Sequence, residues 1–194
     1  MHRYFIIYKP FQVLTQFSSH EGKATLKDHF HVPGDVYPIG RLDYDSEGLL
    51  ILTNDAALNL RLLNPKYKHE REYWVQTEGK ITTEAIDQLK KGVVISIDGN
   101  IYKTLPCKAS LYINPPPVHE RNPPIRFRKN IPDSWISLTL VEGKNRQVRR
   151  MTAKIGFPTL RLIRHRIEKL TLQSMQPGDI KEMTKGEMYE ALFT

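Results

Sequence analysis

Short strand-like segments recur along this chain, and they limit the folds open to it more than any other feature. These runs of five residues, rich in β-branched and aromatic side chains, alternate with segments that carry helix-capping residues. Asn54 or Asp55 precedes one helical segment, and Thr82 or Thr83 precedes another. Strands and helices that alternate with turns suited to antiparallel neighbours predict an α+β fold. The strand-like runs are residues 4–8, 49–53, 72–76, 93–97 and 136–140.

The segment that follows residue 92 has a weaker pattern. Lys108 to Ile113 is apolar enough to form a strand, which we expect to pair with residues 93–97. Residues 114–132 are rich in proline and in basic side chains, so we expect them to form an irregular loop.

Composition excludes several classes of protein. The single cysteine, Cys107, permits no internal disulfide and no zinc site built on cysteine pairs, and it suits a reducing cytosol. No apolar run approaches the ~20 residues that a membrane-spanning helix needs. The N-terminal residues lack the apolar core and the cleavage site of a signal peptide. We therefore expect a cytoplasmic protein that does not interact with membranes.

Positive charge is concentrated in one part of the chain. The formal net charge is +8. Residues 108–169 hold fourteen Lys or Arg against four Asp or Glu, a net of +10, so the remaining residues carry a net of −2. A basic region in an otherwise near-neutral chain favours a polyanion such as nucleic acid as the partner. From charge alone, an excess that serves only solubility stays the alternative.

Three alternating acids, Asp43, Asp45 and Glu47, stand just before the buried run at residues 49–53. An acid at the edge of a core strand can be held rigidly and partly desolvated, as a nucleophile or a general base requires. Arg41 lies two residues before Asp43 and could keep it ionised. These residues alone leave two alternatives open, a solvated acidic turn and a magnesium site with three oxygen ligands.

Four cations, Lys144, Arg146, Arg149 and Arg150, surround the start of a helix that we expect Asn145 to cap. The free N–H groups and the dipole at that end of a helix favour an anion and disfavour added cations. Arginines placed there cost stability unless an anion offsets them, so we expect contacts with RNA or DNA phosphates. The three arginines should share one helical face, and the opposite stripe that packs on the core should consist of Val148, Met151 and Ile155.

Two adjacent rings, Tyr73 and Trp74, lie in the run at residues 72–76. Either ring could stack on an unpaired base. Because side chains alternate along a strand, one ring should face the core, and ordinary packing of both rings stays the alternative.

Taken in order, these motifs resemble the signature of bacterial ribosomal RNA pseudouridine synthases of the small-subunit-type branch. A lone Gly-Arg-Leu-Asp would be a weak signal, but ordered matches over most of the chain are a strong one. Residues 122–126 and Ser134-Trp135 point, within that family, to synthases that modify 23S ribosomal RNA. The other matching segments are Lys9-Pro10, Gly40–Asp43, Ser46–Leu50, Leu52–Asp55, Tyr73, Glu142–Met151 and Leu162–Arg164.

The resemblance implies a pseudouridine synthase fold, in which a mixed, mostly antiparallel sheet forms two subdomains flanked by helices around a central basic cleft. Residues 1–194 are then expected to form a single catalytic domain of two intimate subdomains. Many relatives carry an N-terminal S4 RNA-binding domain, and none is expected here because the chain opens on the first strand of the catalytic domain. Gln12 and Glu168 depart from the family pattern, since relatives usually have glycine at both positions.

The resemblance also implies the chemistry. A uridine of 23S ribosomal RNA, in naked RNA or in an assembling large subunit, would leave its stack and become pseudouridine. Its N1–C1′ bond would break, and the base would rejoin the sugar through C5. Asp43 would be the essential carboxylate, as nucleophile or as base, Arg164 would orient it, and Tyr73 would stack on the base. We expect no metal and no cofactor, and we expect the enzyme to act as a monomer.

The same resemblance assigns the remaining substrate contacts. Leu162 or Ile163 would pack beneath the uracil, and Arg41 would contact the substrate. Two rival functions stay open, a non-catalytic ribosome-assembly factor with the same RNA-binding surface and a metal-dependent nuclease that uses the three alternating acids. The residues expected to hold phosphates are Arg126, Arg128, Lys144, Arg146, Arg149 and Arg150.

Overall fold

The computed structural model describes residues 1–125 and 131–194. Strands and helices alternate along these residues, which confirms the predicted α+β class. The strands are β1 Tyr4–Lys9, β2 Val13–Leu14, β3 Ala24–Thr25, β4 Tyr37–Pro38, β5 Glu47–Thr53, β6 Arg71–Glu78, β7 Val94–Ile97, β8 Asn100–Lys103, β9 Lys108–Leu111, β10 Asp133–Leu140, β11 Thr159–Ile167, β12 Leu170–Thr171 and β13 Ile180–Met183. The helices are α1 Leu26–His29, α2 Ala56–Leu63, α3 Thr83–Lys91, α4 Gln147–Lys154 and α5 Lys185–Phe193. No helix in the described ranges is long and apolar enough to cross a membrane.

Contacts divide the described chain into two compact units. Unit 1 consists of residues 1–69 and 163–194, and unit 2 consists of residues 70–162. The chain passes from unit 2 back to unit 1 within β11, so this strand contributes residues to both.

Unit 1 is built on the strand order β13-β1-β5-β11. The β1 strand is antiparallel to both of its neighbours, whereas β5 and β11 run parallel, with Gly48 opposite Arg164. All residues of β1 and of β5 are buried, as expected for strands that are covered on both faces. One core cluster of this unit combines side chains of these strands with α1, and its largest members are Phe5, Ile7, Leu26, Phe30, Leu50 and Leu52.

Unit 2 contains the first part of β11 in the order β11-β6-β10-β9. The β6 and β10 strands pair antiparallel along their whole length, from Asp133 opposite Glu78 to Leu140 opposite Arg71. The apolar faces of α3 and α4 belong to the same core cluster as these strands. Its members with no exposed surface are Val75, Leu89, Ile136, Leu138 and Met151.

The predicted pairing of residues 108–113 with residues 93–97 is wrong. The β9 strand pairs with β10, and β7 pairs with β8, a strand that the sequence analysis did not predict. The β7–β8 hairpin turns at Asp98 and Gly99, which have φ angles of 48° and 83°. Two left-handed residues of the Asp-Gly type form the tightest hairpin turn, so this dipeptide was the available signal.

The predicted cap of α4 is also wrong. Arg146, not Asn145, is the N-cap residue, and it has a left-handed backbone with φ 51°. Because the helix begins only at Gln147, Arg146 does not share a helical face with Arg149 and Arg150. The apolar stripe is confirmed, since Val148 and Met151 are buried and Ile155 packs against the same cluster.

The two departures from the family's glycine pattern coincide with left-handed backbone. Gln12 has φ 58° and Glu168 has φ 48°. Residues with a Cβ atom are disfavoured in this region by about 1–2 kcal/mol, whereas glycine adopts it freely. The backbone therefore explains why glycine suits both positions, and the chain bears a conformational cost for the side chains that it has there.

Asp55 links the start of α2 to two other elements of unit 1. Its Oδ1 accepts hydrogen bonds from the backbone N–H groups of Ala57 and Leu58, at 3.0 and 3.2 Å, as an N-cap residue does. Its Oδ2 accepts hydrogen bonds from the hydroxyls of Tyr4 and Tyr189, both at 2.8 Å. Burial opposes ionisation of Asp55, but the tyrosine hydroxyls and the N–H groups outweigh it, so its pKa lies below its usual range. This carboxylate joins β1, α2 and α5.

Replacing Asp55 with alanine should therefore destabilise the fold strongly. The variant loses an N-cap and leaves two tyrosine hydroxyls without their acceptor, so its free energy of unfolding should fall by about 3 kcal/mol or more in urea titrations. Asp87→Ala is the matched control, because the Asp87 side chain is 51% exposed and forms an ion pair with Lys90 on the surface of α3. A fall no larger than that of the control would contradict this role.

Candidate active site

The segment that carries Asp43 is pinned at several points in unit 1. The Thr15 hydroxyl donates a hydrogen bond to the carbonyl oxygen of Leu42 at 2.6 Å and accepts one from its N–H at 3.2 Å. The N–H of Gln12 donates to the carbonyl oxygen of Tyr44 at 2.9 Å, and the N–H of Ser46 donates to that of Asp43 at 3.1 Å. Asp43 is thus half-buried in a turn whose backbone is fixed on both sides.

Arg164 is fixed beside the strand that leaves this turn. Gly48 lies opposite Arg164 in the parallel pairing and has φ 117°. A Cβ atom at position 48 would lie 2.4 Å from the carbonyl oxygen of Arg164 and 2.6 Å from its nitrogen, so no side chain fits there. The Arg164 side chain is buried, and its Nε donates a hydrogen bond to the carbonyl oxygen of Leu49 at 2.8 Å.

Lys9 is the residue of this region that the sequence analysis did not assign to the site. It ends β1 with no exposed surface, and its Nζ donates hydrogen bonds to the carbonyl oxygens of Pro10 and Val13, both at 2.8 Å. Burial lowers the pKa of Lys9 to about 7. The sequence did contain a signal for this burial, a lysine directly after an apolar strand. A side chain at such a position has little access to water.

Four charged side chains lie within electrostatic reach of Lys9. The carboxylates of Glu47, Asp45 and Asp43 attract its ammonium group and oppose the lowering of its pKa, while Arg164 adds to the lowering. The predicted carboxylate Asp43 and the predicted arginine Arg164 are thus both within electrostatic reach of one buried amine. We call Lys9, Asp43, Asp45, Glu47 and Arg164 the charged cluster of unit 1.

The acidic motif does not behave as a solvated turn. Glu47 is buried within β5, and Asp43 and Asp45 are half-buried. The magnesium alternative is not supported either, because residues 1–125 and 131–194 contain no group of three or more His, Cys, Asp or Glu side chains arranged to hold a metal ion. Arg41, which we expected to accompany Asp43, is exposed, whereas Arg164 is buried.

Tyr73 and Trp74 lie in β6 of unit 2, on opposite faces of the strand as predicted. Tyr73 is half-buried and packs against the core cluster of this unit, to which Leu162 also belongs. Trp74 contacts the ring of Tyr112 edge-on, with 6.2 Å between the ring centroids. Packing therefore accounts for part of the surface of each ring.

The basic motif of unit 2 contains side chains with different surroundings. Lys144 and Arg146 are exposed, and the ammonium group of Lys144 lies 5.1 Å from the centre of the Tyr102 ring. Arg150 donates hydrogen bonds from Nη1 to the carbonyl oxygen of Ser96 at 2.5 Å and from Nε to that of Asn145 at 3.1 Å. Arg150 thus joins α4 to β7, a structural role that its position in the sequence did not indicate.

Three other arginines belong to the expected phosphate-binding set. Arg149 is half-buried in α4. Arg126 and Arg128 lie outside the described residues.

Glu142 is a further residue of the basic motif whose role the sequence did not reveal. Its carboxylate accepts hydrogen bonds from the side-chain amide of Gln147 at 2.6 Å and from the N–H of Leu105 at 2.9 Å, and also from the hydroxyl of Tyr102. The hydrogen bond to Glu142, together with burial, raises the pKa of Tyr102 to about 12. One acid thus holds the segment before α4 against the end of the β7–β8 hairpin.

Comparison with known proteins identifies the family of this chain. Residues 3–154 match the model of the RNA pseudouridylate synthase family. Ribosomal large subunit pseudouridine synthase E of Vibrio parahaemolyticus is 50% identical over 92% of this chain and 72% of its own length. The synthase E of Xanthomonas axonopodis is 47% identical over 89% of both chains. Ribosomal large subunit pseudouridine synthase B of Bacillus subtilis is 36% identical over 95% of this chain and 69% of its own length.

A solved structure supports the fold. The crystal structure of a pseudouridylate synthase superposes with a TM-score of 0.80 over 99% of this chain and 74% of that chain, at 24% sequence identity. The predicted pseudouridine synthase fold is therefore confirmed. By its motifs, its fold and its match over residues 3–154, the chain belongs to the RNA pseudouridylate synthase family.

Proposed function

We propose that this RNA pseudouridine synthase isomerises a uridine of 23S ribosomal RNA and that Asp43 is its essential carboxylate. The observation that carries the proposal is the position of Asp43, half-buried on a pinned turn and within electrostatic reach of the buried Lys9, which Arg164 also reaches. Relatives from Vibrio and Xanthomonas that carry the name large subunit synthase E support the choice of RNA.

The proposed reaction needs no net oxidation and no energy source. The N1–C1′ bond of the uridine breaks, the base turns, and a C5–C1′ bond forms in its place. The proton on C5 goes to a base, and N1 ends with a proton, so atoms and electrons balance. The uridine has to leave its stack because both the sugar carbon and the ring must be reached.

Asp43 acts in this scheme either as the nucleophile at the sugar or as a base. Both roles require the ionised carboxylate. The buried Arg164 and Lys9 are the positioning residues, because their charges and the backbone beside them restrict where the carboxylate can go.

Unit 2 supplies the proposed contacts to the base and to the RNA backbone. Tyr73 stacks on the flipped uracil, and its hydroxyl takes the C5 proton as its own proton passes towards N1. Leu162 belongs to the core cluster against which Tyr73 packs. Phosphates bind to the exposed Lys144 and Arg146, with Arg149 beside them. The proposal also includes a monomeric enzyme, a cytoplasmic location, and a substrate that is either naked 23S RNA or an assembling large subunit.

Asp43→Asn should reduce tritium release from C5-labelled uridine in 23S RNA by more than about 100-fold, since an amide can neither attack the sugar nor act as a base. RNA affinity should stay within a few-fold of the parent. Asp45→Asn is the matched control, because it removes one negative charge from the same turn. Assays in EDTA test the nuclease alternative. Turnover by Asp43→Asn at the level of the control would contradict the assignment of Asp43, and a parent that binds 23S RNA without releasing tritium would support the assembly-factor alternative.

Tyr73→Phe should separate stacking from proton transfer. The ring face remains, so the affinity for RNA should hold, but loss of the hydroxyl should lower kcat by about 100-fold. Tyr112→Phe, another half-buried tyrosine of unit 2, provides the control. Full activity in Tyr73→Phe would make Tyr73 a packing residue only.

Lys9 should leave a signature in the pH dependence of stability. Its pKa is about 7 in the folded protein and about 10.4 in the unfolded chain, so between these values the unfolded state binds more protons. The free energy of unfolding should therefore rise from pH 7 to pH 10 by on the order of a few kcal/mol. This gain is lost again as the pH falls back to 7.

Urea titrations across that range test the assignment. Lys9→Met should abolish most of the rise, whereas Lys181→Met, at an exposed lysine of β13, should not change it. A parent whose stability responds to pH in the same way as Lys9→Met would contradict the burial of a titrating lysine.

A further inference from the structure

A pocket of about 330 Å³ lies in unit 1, away from the residues of the charged cluster. It is enclosed by the end of α2, the turn that follows it, the residues between β11 and β12, and the end of α5. This volume is near the lower end of the range for small-molecule sites. We call it the C-terminal pocket, and the side chains that matter here are Arg61, Tyr67, His69, Glu168, Lys169 and Phe193.

Flat faces dominate one side of this pocket. The guanidinium carbon of Arg61 lies 3.6 Å from the centre of the Phe193 ring, which places a cation in contact with an aromatic face. Tyr67 is 48% exposed although it is a large aromatic residue. Aromatic rings and arginine planes are the surfaces on which unpaired bases stack.

A polar pair forms another part of the lining. The Nδ1 of buried His69 lies 2.9 Å from a carboxylate oxygen of Glu168. Glu168 reaches it from the left-handed position with φ 48°, where the backbone disfavours any side chain. The Glu168 carboxylate, whose side chain is 26% exposed, can accept a hydrogen bond at the edge of a base, while the buried His69 holds it in place.

Basic side chains outnumber acidic ones around the pocket. Arg61 and Lys169 are exposed cations of the lining, and Lys66 and Lys68 are exposed on the adjacent turn. The acid of the lining, Glu168, is already in contact with His69. Stacking faces beside cations are the combination that proteins use to bind single-stranded nucleic acid.

We propose that the C-terminal pocket binds an unpaired nucleotide of the RNA substrate at a position distant from the target uridine. The base stacks on Tyr67 and the Arg61 plane, its edge meets the His69–Glu168 pair, and its phosphate contacts Lys169. Glu168 directly follows the end of β11, four residues after Arg164, which is at most roughly 13 Å of extended chain, so one RNA strand can reach both. The inference rests on the RNA substrate of the proposed function.

Kinetics on two substrates test this site. For a long fragment of 23S RNA, Tyr67→Ala combined with Lys169→Ala should raise KM about tenfold and leave kcat unchanged. For a short stem-loop that carries only the target uridine and its nearest neighbours, both parameters should match the parent. The control, Tyr37→Ala with Lys181→Ala, removes an exposed tyrosine and an exposed lysine of unit 1 and should leave KM and kcat unchanged for both substrates.

Photocrosslinking provides a readout that does not depend on turnover. Long RNA substituted with 4-thiouridine should cross-link to peptides covering residues 61–69 and 185–194, and the double variant should lose these cross-links. Lys169→Glu alone, which keeps every ring, should weaken them as well. Melting temperatures of all variants should equal that of the parent, because the altered side chains are exposed.

Three outcomes would overturn the proposal. The first is an unchanged KM for the long RNA, and the second is an equal rise in KM for both substrates. The third is binding of free uridine monophosphate in the pocket without any cross-link to RNA, which would make the pocket a site for a free nucleotide. If the parent converts neither the long RNA nor an assembling large subunit, the proposed function fails, while the cross-links still report on the pocket.

Discussion

The backbone of Arg164 approaches Gly48 so closely that the two strands leave no room for a Cβ atom. This contact sets the register in which β5 and β11 run side by side, and therefore where the Arg164 side chain begins relative to the turn of Asp43. Backbone contacts of this kind are stiffer than contacts between long side chains, because no rotamer change can relax them. The geometry of the charged cluster is therefore set mainly by the sheet.

The charged cluster has a cost in stability that the rest of unit 1 has to offset. A lysine without exposed surface, a buried glutamate and a buried arginine are all taken out of water, and each loses hydration that its neighbours replace only in part. An apolar set of similar volume would pack there with less loss. Such arrangements are common where a site needs charges in fixed places, since function is selected even where stability suffers.

Local patterns in the sequence were sufficient for most elements of the fold, and interactions between distant residues were not. The apolar stripe of α4 follows from side chains within a few residues, so the sequence predicted it, and Asp55 and Thr82 are each one of the two N-cap candidates that the sequence offered. The Arg150 guanidinium binds the carbonyl of Ser96, 54 residues away, and no pattern near Arg150 indicates that contact. The Asp98-Gly99 turn is different, because its signal was present in the sequence and was not used.

The same distinction applies to the site. Asp43, Tyr73 and Arg164 were predicted because short motifs carry them, whereas the burial of Lys9 among three acids depends on the topology of unit 1. The left-handed backbone at Gln12 and Glu168 shows a third case. There the departures from glycine were visible in the sequence, but their conformational cost became clear only from the structure.

The division of β11 between the two units has a consequence for the order in which the two units fold. Residues 70–162 form a continuous unit, whereas unit 1 joins residues 1–69 to residues 163–194. Synthesis runs from the N-terminus, and domains tend to fold as their residues emerge from the ribosome. Unit 2 can therefore form its core before the last strands of unit 1 have been synthesised. A nascent chain that ends before residue 164 already contains Lys9 and Asp43, yet it lacks Arg164, whose backbone packs against Gly48.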